Sequence, residues 1–211
     1  MIRRFKMLGA ALCALCSLCA VIASTAAAVS YTASSYPTTL TGESAKGNDT
    51  ITTEAGTIEC KVHFEATLTE ASTQLTVKTK YTGCSAFGFL EATVSTGDCH
   101  RTWTEPTTTG GNQLHGKELH ERCTGPSPMT IHAGNCKITI GEQTLGGTVH
   151  ITNTAAGDMT TRTAATGIAY TVTQDGFLCP FNGTGAKTGA THTQHNPITF
   201  DSTNGANVHA G

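Results

Sequence analysis

The stretch ECKVHFEATL, residues 59–68, alternates apolar and polar side chains along its whole length. One face carries the apolar side chains of Cys60, Val62, Phe64, Ala66 and Leu68. The other face carries those of Lys61, His63, Glu65 and Thr67. A period of two residues predicts a β-strand with one buried face and one face in water.

The next segment repeats the pattern. Residues 74–81 place Leu75, Val77, Thr79 and Tyr81 on one face, and the short polar stretch 69–73 connects the two segments. This arrangement predicts a hairpin. Further strands are predicted at 38–42, 49–54, 89–96, 99–105, 117–124, 128–133, 136–141, 147–153, 166–173, 184–191 and 197–201. Many short strands between glycine-rich turns predict an all-β fold, either an antiparallel Greek-key-like sandwich or two small β units.

The N-terminus has the layout of a secretory signal peptide. A basic start at Arg3, Arg4 and Lys6 precedes an apolar run, and the run leads into the small residues 26–28. This order predicts a signal helix over 1–28, with cleavage after Ala28. The mature protein is then predicted to be one exported β domain over 29–211, with a sub-boundary near 125–128 as an alternative.

The composition excludes some partners. Charged residues make up 13% of the chain, about half the usual share, and the formal net charge is −2. Nucleic acid is not an expected partner because phosphate binding needs a basic stripe. The C-terminal residues carry no apolar tail, so no membrane span is expected after signal cleavage.

The region after residue 28 holds six cysteines: Cys60, Cys84, Cys99, Cys123, Cys136 and Cys179. An even number in an exported chain predicts disulfides. Two cysteines that face each other across a hairpin have the turn midway between them. The midpoints of Cys60–Cys84, Cys99–Cys123 and Cys136–Cys179 fall at predicted turns, whereas neighbouring pairs have midpoints inside strands. These three pairs are therefore favoured among the fifteen connectivities that six cysteines allow.

His100 is adjacent to Cys99 in the sequence and His120 lies near Cys123, so a metal site of these four residues has to be considered. Pairing Cys99 with Cys123 across a hairpin fixes the register of the two strands. In this register Arg101 faces Glu121, Trp103 faces Leu119, and Glu105 faces Lys117, which are favourable cross-strand pairs. The two histidines then occupy the opposite face from the cysteines because side chains alternate along a strand. The close ligand pairs of zinc sites are also missing from the sequence. A disulfide is predicted, and no metal or cofactor.

The Cys60–Cys84 pair presents a difficulty of register. A regular hairpin through this pair sets Phe64 against Lys80, which mixes the buried and wet faces. One extra residue at Thr82-Gly83 would restore the alternation, and glycine is the residue that such β-bulges prefer. The pairing therefore predicts a bulge there.

No motif identifies a reaction. The chain contains no H-E-x-x-H, no G-x-S-x-G and no phosphate-binding loop. No catalytic residue is assigned, and an enzyme is the less favoured class. Trp103 and Tyr81 are the only aromatic residues that could form a sugar-stacking platform, and core packing is favoured for both.

Five segments resemble a group of threonine-rich, cysteine-containing secreted proteins of soil actinobacteria. These segments are SYPTTLTGE (35–43), GTIEC (56–60), YTGCSAFGF (81–89), GDCH (97–100) and GNCKITIG (134–141). The resemblance covers most of the mature chain and implies an exported β protein. It brings no activity or ligand.

The sequence thus predicts a secreted, non-enzymatic binding or structural module of the cell envelope or extracellular space. An envelope polysaccharide or another surface protein is the expected partner. The alternative is a secreted hydrolase with an unrecognised active site.

Overall fold

The computed structural model describes residues 29–110, 113–174 and 178–211, with 105–110, 113, 115–118 and 174 described by their backbone alone. The predicted signal helix over 1–28 lies outside the described residues. Every regular element in the described residues is a strand. The strands are β1 Tyr31–Ala33, β2 Thr38–Thr53, β3 Gly56–Leu68, β4 Gln74–Ala86, β5 Leu90–Ser95, β6 Cys99–Gly110, β7 Gln113–Cys123, β8 Met129–Ala133, β9 Cys136–Ile140, β10 Gln143–Asn153, β11 Met159–Gln174, β12 Gly185–Gln194, β13 Ile198–Ser202 and β14 Val208–Ala210.

The main sheet is antiparallel and closes on itself. Strands β5 and β6 lie end to end and share one position in the sheet, and the same holds for β7 with β8 and for β9 with β10. Together with β2, β3, β4, β11 and β12 they make eight positions, and each position pairs with its neighbours. The ring closes where β12 pairs with β2, through His192 and Ile51 among others. The all-β prediction is confirmed.

The prediction of a sandwich is wrong, because the main sheet closes into a ring. A sandwich needs two sheets with free edges, whereas here the last long strand returns to the first and leaves one barrel-like sheet. Two predicted strands, 38–42 and 49–54, are parts of the single strand β2, whose register shifts between Ser44 and Asp49. The segment 125–128 lies in the bend between β7 and β8.

The interior follows from the alternation. Val62 and Phe64 of β3 point inward and are at most 3% exposed. Phe200 of β13 packs against Phe64 and edge-on against Trp103, with ring centroids 6.0 and 5.7 Å apart. Trp103 and Tyr81 are both buried, so core packing is confirmed for them. Strands β1 and β14 form a separate pair, and β1 bridges to the β3–β4 turn through Tyr31 and Ser72.

Two glutamine side chains repair gaps in the ladder of β11. The Gln143 carboxamide accepts from Ala169 N–H at 2.8 Å and donates to Ala169 C=O at 2.9 Å. The Gln194 carboxamide accepts from Thr163 N–H at 2.9 Å and donates to Thr161 C=O at 3.2 Å. Each side-chain amide thereby substitutes for a backbone amide of a neighbouring strand. The Gln194 bonds are buried and keep interior backbone groups paired, whereas the Gln143 bonds lie at the surface.

Three disulfides fasten the wall: Cys60–Cys84, Cys99–Cys123 and Cys136–Cys179. They are the three pairs that the turn positions favour. The first links β3 to β4, and the second links β6 to β7. The bulge expected near the first pair is present: the β3–β4 register shifts between Glu59 and Lys61, and Gly83 has a φ of 58°. As a result Phe64 faces Thr79 and not Lys80.

Candidate functional site

The structure separates the cysteines from the histidines of the β6–β7 hairpin. Cys99 pairs with Cys123, Arg101 with Glu121, and Trp103 with Leu119, as the sequence predicts. The third predicted pair, Glu105 with Lys117, has side chains outside the described set. His100 and His120 face outward, each on the side of its strand opposite to the cysteine sulfurs.

The outward side chains of β4, β6 and β7 line a concave surface, which we call the threonine–histidine face. Its members are Gln74, Thr76, His100, Thr102, Thr104, His120, Arg122 and Glu142, and it encloses about 660 Å³. Thr102, Thr104 and His120 are only 7 to 8% exposed although they point away from the core. The face is therefore a recess with these three side chains on its floor.

A row of side chains crosses this face and continues beyond its edge to Thr144 on β10. Thr76 pairs with Thr102, Thr102 with His120, and His120 with Thr144, on four successive strands. Adjacent strands lie about 4.8 Å apart, so the row places one polar side chain at each such step. His120 Nδ1 lies 3.0 Å from Thr144 Oγ1, which orients the imidazole.

The rim of the face is held by an acidic side chain. Glu142 accepts a hydrogen bond from Arg122 Nη1 at 3.3 Å through Oε1 and one from Cys123 N–H at 3.2 Å through Oε2. The charge of Arg122 is thereby largely neutralised, and the rim keeps a fixed shape.

A second opening adjoins the face. Pairing of β4 with β6 ends at Val77 and Arg101, and pairing of β4 with β5 begins at Cys84 and Ala92. Between these points the wall is open. We call this opening the β4–β6 slit; it encloses about 630 Å³ and is lined by residues 78–81, 94–100 and 124. His100 and Thr124 line both the slit and the face.

Covalent and hydrogen bonds hold both sides of the slit. The Cys60–Cys84 disulfide ties β4 to β3, and Cys99–Cys123 ties β6 to β7. At its lower edge Asp98 N–H donates to Ser127 C=O at 2.9 Å, and Asp98 Oδ2 accepts from Ser127 N–H at 3.1 Å. Gly97 has a φ of 58°, and a Cβ there would collide with the Ser127 carbonyl. The opening is built into the fold.

Behind the slit lies a buried polar cluster, which we call the lumen network. Its members are Asp49, Tyr81, Arg101, Glu121 and His192. Arg101 on β6 donates to the Tyr81 hydroxyl at 2.9 Å, lies 3.6 Å from Glu121 Oε2, and reaches His192 at 3.1 Å. His192 Nε2 in turn lies 3.0 Å from Asp49 Oδ1. The network joins opposite walls of the barrel.

Burial and charge set the protonation states of the network. Burial raises the pKa of Asp49, but His192 and Arg101 outweigh burial and leave that pKa below its ordinary value. Burial and the Arg101 charge both lower the pKa of His192. The ionised Asp49 only accepts, so Nε2 of the neutral His192 carries the proton and donates to it. Arg101 also only donates, so it acts on Asp49 through its charge and not through a hydrogen bond to Nε2. Burial also raises the pKa of Glu121 despite its contact with Arg101.

The network has the chemistry of a structural element. Asp49 and His192 form an acid–imidazole pair, but the third group at Nε2 is a guanidinium and not a hydroxyl nucleophile. Both side chains are 1% exposed. Asp49 Oδ2 and His192 Nδ1 are buried and have no hydrogen-bond partner among the described residues. The geometry therefore offers cross-lumen stabilisation and no assembled catalytic triad at His192.

Sequence reasoning missed the network. Asp49 begins a predicted strand, and His192 belongs to a set of scattered histidines without an assigned role. The alternation in Thr191-His192-Thr193 does place His192 opposite to the two threonines. It does not say which side is buried, because that depends on closure of β12 onto β2.

Across the described ranges, no group of three or more His, Cys, Asp or Glu side chains is placed to hold a metal ion. Nor does any helix long and apolar enough to cross a membrane occur in the part of the chain that the structure describes. No protein-family model, curated protein or solved structure matches the chain.

Proposed function

We propose that the chain is an exported, non-enzymatic module that binds a polysaccharide of the cell envelope on its threonine–histidine face. The row Thr76–Thr102–His120–Thr144 is the observation that carries this proposal. Hydroxyl and imidazole groups both donate and accept hydrogen bonds, as sugar hydroxyls do. The strand spacing of about 4.8 Å is comparable to the rise of one sugar in an extended glycan.

The rigidity of the face supports binding. Its side chains stand on paired strands, and the Cys99–Cys123 disulfide lies directly behind it. A preformed site loses less conformational entropy when a ligand binds. The two aromatic candidates, Tyr81 and Trp103, are in the core, so binding relies on hydrogen bonds. We expect dissociation constants on the order of micromolar to millimolar.

The direct test is a titration of the mature chain, residues 29–211, with soluble polysaccharides prepared from the envelope. We expect binding, and we expect Thr76→Val combined with His100→Ala to weaken it about thirtyfold, since each of the two lost hydrogen bonds costs about 1 kcal/mol. Thr67→Val on the exposed face of β3 is the matched control and should leave affinity unchanged.

The same titration separates this proposal from the alternative. Shortening of the polysaccharide during incubation, seen as new reducing ends, would identify a hydrolase and contradict a non-enzymatic module. Equal affinity of the double variant and the parent would place the ligand elsewhere on the molecule.

Export is supported by the three disulfides, which are typical of oxidising compartments. The test is the N-terminal sequence of the protein recovered from culture medium. Export with cleavage predicts a mature chain that begins at Val29. A chain retained inside the cell with Met1 in place would contradict this part of the proposal.

A further inference from the structure

We propose that the polysaccharide bound by the threonine–histidine face is acidic, and that its anionic groups bind to Lys78 and Lys80 beside the β4–β6 slit. This inference rests on the proposed function and adds the chemical class of the ligand. It starts from strand β4, which contributes to both openings.

The outward side chains of β4 connect the face to the slit. Gln74, Thr76, Lys78 and Lys80 alternate along β4, so all four point outward in one line. Alternate residues lie about 7 Å apart along a strand. The hydroxyl-binding row at Thr76 therefore continues directly into two cationic positions. His100 and Thr124 join the two openings from the opposite side.

The ammonium groups of Lys78 and Lys80 carry charge that no carboxylate offsets by direct contact among the described residues. Four other cations have acidic partners: Lys61 with Glu43 at 3.1 Å, Lys187 with Glu54 at 2.6 Å, Arg122 with Glu142 at 3.3 Å, and Arg101 with Glu121 at 3.6 Å. Lys46 and Lys137 have no carboxylate partner among the described residues either, but they do not line the slit. Among the described side chains, no carboxylate lies within 4.0 Å of the Lys78 or Lys80 ammonium groups. Both ammonium groups are thus available to a ligand.

The acidic residues near these lysines leave that availability intact. Glu65 is opposite Lys78 in the β3–β4 register, yet the two form no ion pair within the described part of the chain. Asp98 lines the slit, but its Oδ2 accepts from Ser127 N–H at 3.1 Å. The mouth of the slit therefore presents two cations and one carboxylate, and the carboxylate is engaged by the Ser127 N–H on the far side from β4.

The β4–β6 slit is preorganised for a ligand. The slit is an interruption of the ladder fixed by a disulfide on each side, Cys60–Cys84 and Cys99–Cys123. The tyrosine in this gap, Tyr81, is held by Arg101 at 2.9 Å. Its volume of about 630 Å³ is within the range of small-molecule sites and accommodates a sugar residue with its charged substituent. A carboxylate or a phosphate on the sugar would satisfy this geometry.

The experiment uses four polymers with the mature chain: a neutral glucan, a uronate-containing glycan, a glycan with phosphodiester links, and polyglutamate. We expect both acidic glycans to bind more tightly than the glucan, and the preference to decline as salt is raised from low to physiological strength. The tighter of the two identifies the anionic group. Polyglutamate has charge without sugar hydroxyls and should bind weakly.

The variant Lys78→Ala/Lys80→Ala should lower affinity for the acidic glycans about five- to tenfold and leave glucan binding unchanged. The matched control is Lys46→Ala/Lys137→Ala, which removes the same charge from exposed positions on β2 and β9. All four lysines are exposed, so folding should be unaffected.

Failure of this inference and failure of the proposed function give different results. Equal affinity for glucan and acidic glycans, or an equal loss in the two double variants, would overturn the acidic-ligand assignment and leave polysaccharide binding in place. Polyglutamate binding as tight as glycan binding would also overturn it. Absence of binding to every glycan would overturn the proposed function itself.

Discussion

The Arg101 guanidinium on β6 lies 3.1 Å from His192 Nε2 on β12, the strand on the opposite wall of the barrel. The attraction between the Arg101 charge and the Asp49 carboxylate, with His192 between them, links the two halves of the closed sheet through its interior. Asp49 lies on one side at 3.0 Å from His192, and Glu121 on the other at 3.6 Å from Arg101. A buried cation with partners on both walls requires the sheet to close in one register.

Arg101→Met should destabilise the fold strongly. The substitution leaves the carboxylates of Asp49 and Glu121 buried without their cation, and breaking a buried pair in this way costs about 3–5 kcal/mol. The measurement is the free energy of unfolding in urea. The control is Arg122→Met, which removes an exposed ion pair and should cost less than about 1 kcal/mol. Similar values for the two variants would contradict a structural role for the network.

Stability should fall as the solution is acidified below about pH 6.5. The His192 pKa is lower in the folded chain than in the unfolded chain, so the unfolded chain binds the proton first as pH falls. Asp49 has a lowered pKa and adds a further loss at more acidic pH, as the pH falls through its folded value. Glu121 has a raised pKa and acts in the opposite sense.

The measurement for this prediction is the unfolding midpoint at a series of pH values. His192→Gln keeps a donor toward Asp49 and removes the titrating imidazole. It should flatten the profile just below pH 6.5 relative to the parent. Parallel profiles for parent and variant would show that the acid sensitivity comes from other groups.

Gly83→Ala should destabilise through the backbone alone. Gly83 has a φ of 58°, and a Cβ there would contact nothing within 4 Å, so no steric collision is added. The left-handed conformation of a non-glycine residue costs about 1–2 kcal/mol. Gly141→Ala is the matched control, since its Cβ also meets open space and its φ is not in the left-handed region. Urea unfolding measures both, and equal stability of the two variants would contradict the bulge.

Removal of the Cys99–Cys123 disulfide should cost about 3 kcal/mol, mostly because the unfolded chain gains freedom over a separation of 24 residues. The double substitution to serine also frees one edge of the β4–β6 slit. We therefore expect a lower thermal midpoint together with faster amide hydrogen exchange at residues 95–100. Unchanged exchange there would show that Asp98 and Ser127 hold this edge without the disulfide.

Much of the fold could be predicted because alternation and turn position are local properties. The cysteine midpoints identify all three disulfides, and the parity conflict at Phe64 locates the bulge at Gly83. These arguments need only the side-chain period of a strand and the position of a turn.

Closure could not be predicted from the same information. Whether β12 pairs with β2 depends on the accumulated twist and stagger of the whole sheet, and no residue pair reports these alone. The sandwich prediction failed for this reason. Asp49 and His192 were missed for the same reason, because only closure brings them together with Arg101.

The threonine–histidine face is likewise predictable in part, from local alternation, and unpredictable in part, where it depends on distant strand pairing. Alternation correctly places His100 and His120 away from the disulfide. The row from Thr76 to Thr144 needs three strand registers at once, and two of them, β4 with β6 and β7 with β10, join strands that are not consecutive in the chain. Distant pairings of this kind are a property of the folded sheet.

Binding of an envelope polysaccharide to the threonine–histidine face can be observed at the histidines themselves. Its most direct test is NMR of the histidine ring nitrogens in the mature chain during titration with the soluble envelope polysaccharide. We expect the signals of His100 and His120 to shift with a common dissociation constant, while those of His63 on β3 and His132 on β8 stay in place. Shifts confined to His63 or His132, or no shift at saturating polysaccharide, would contradict it.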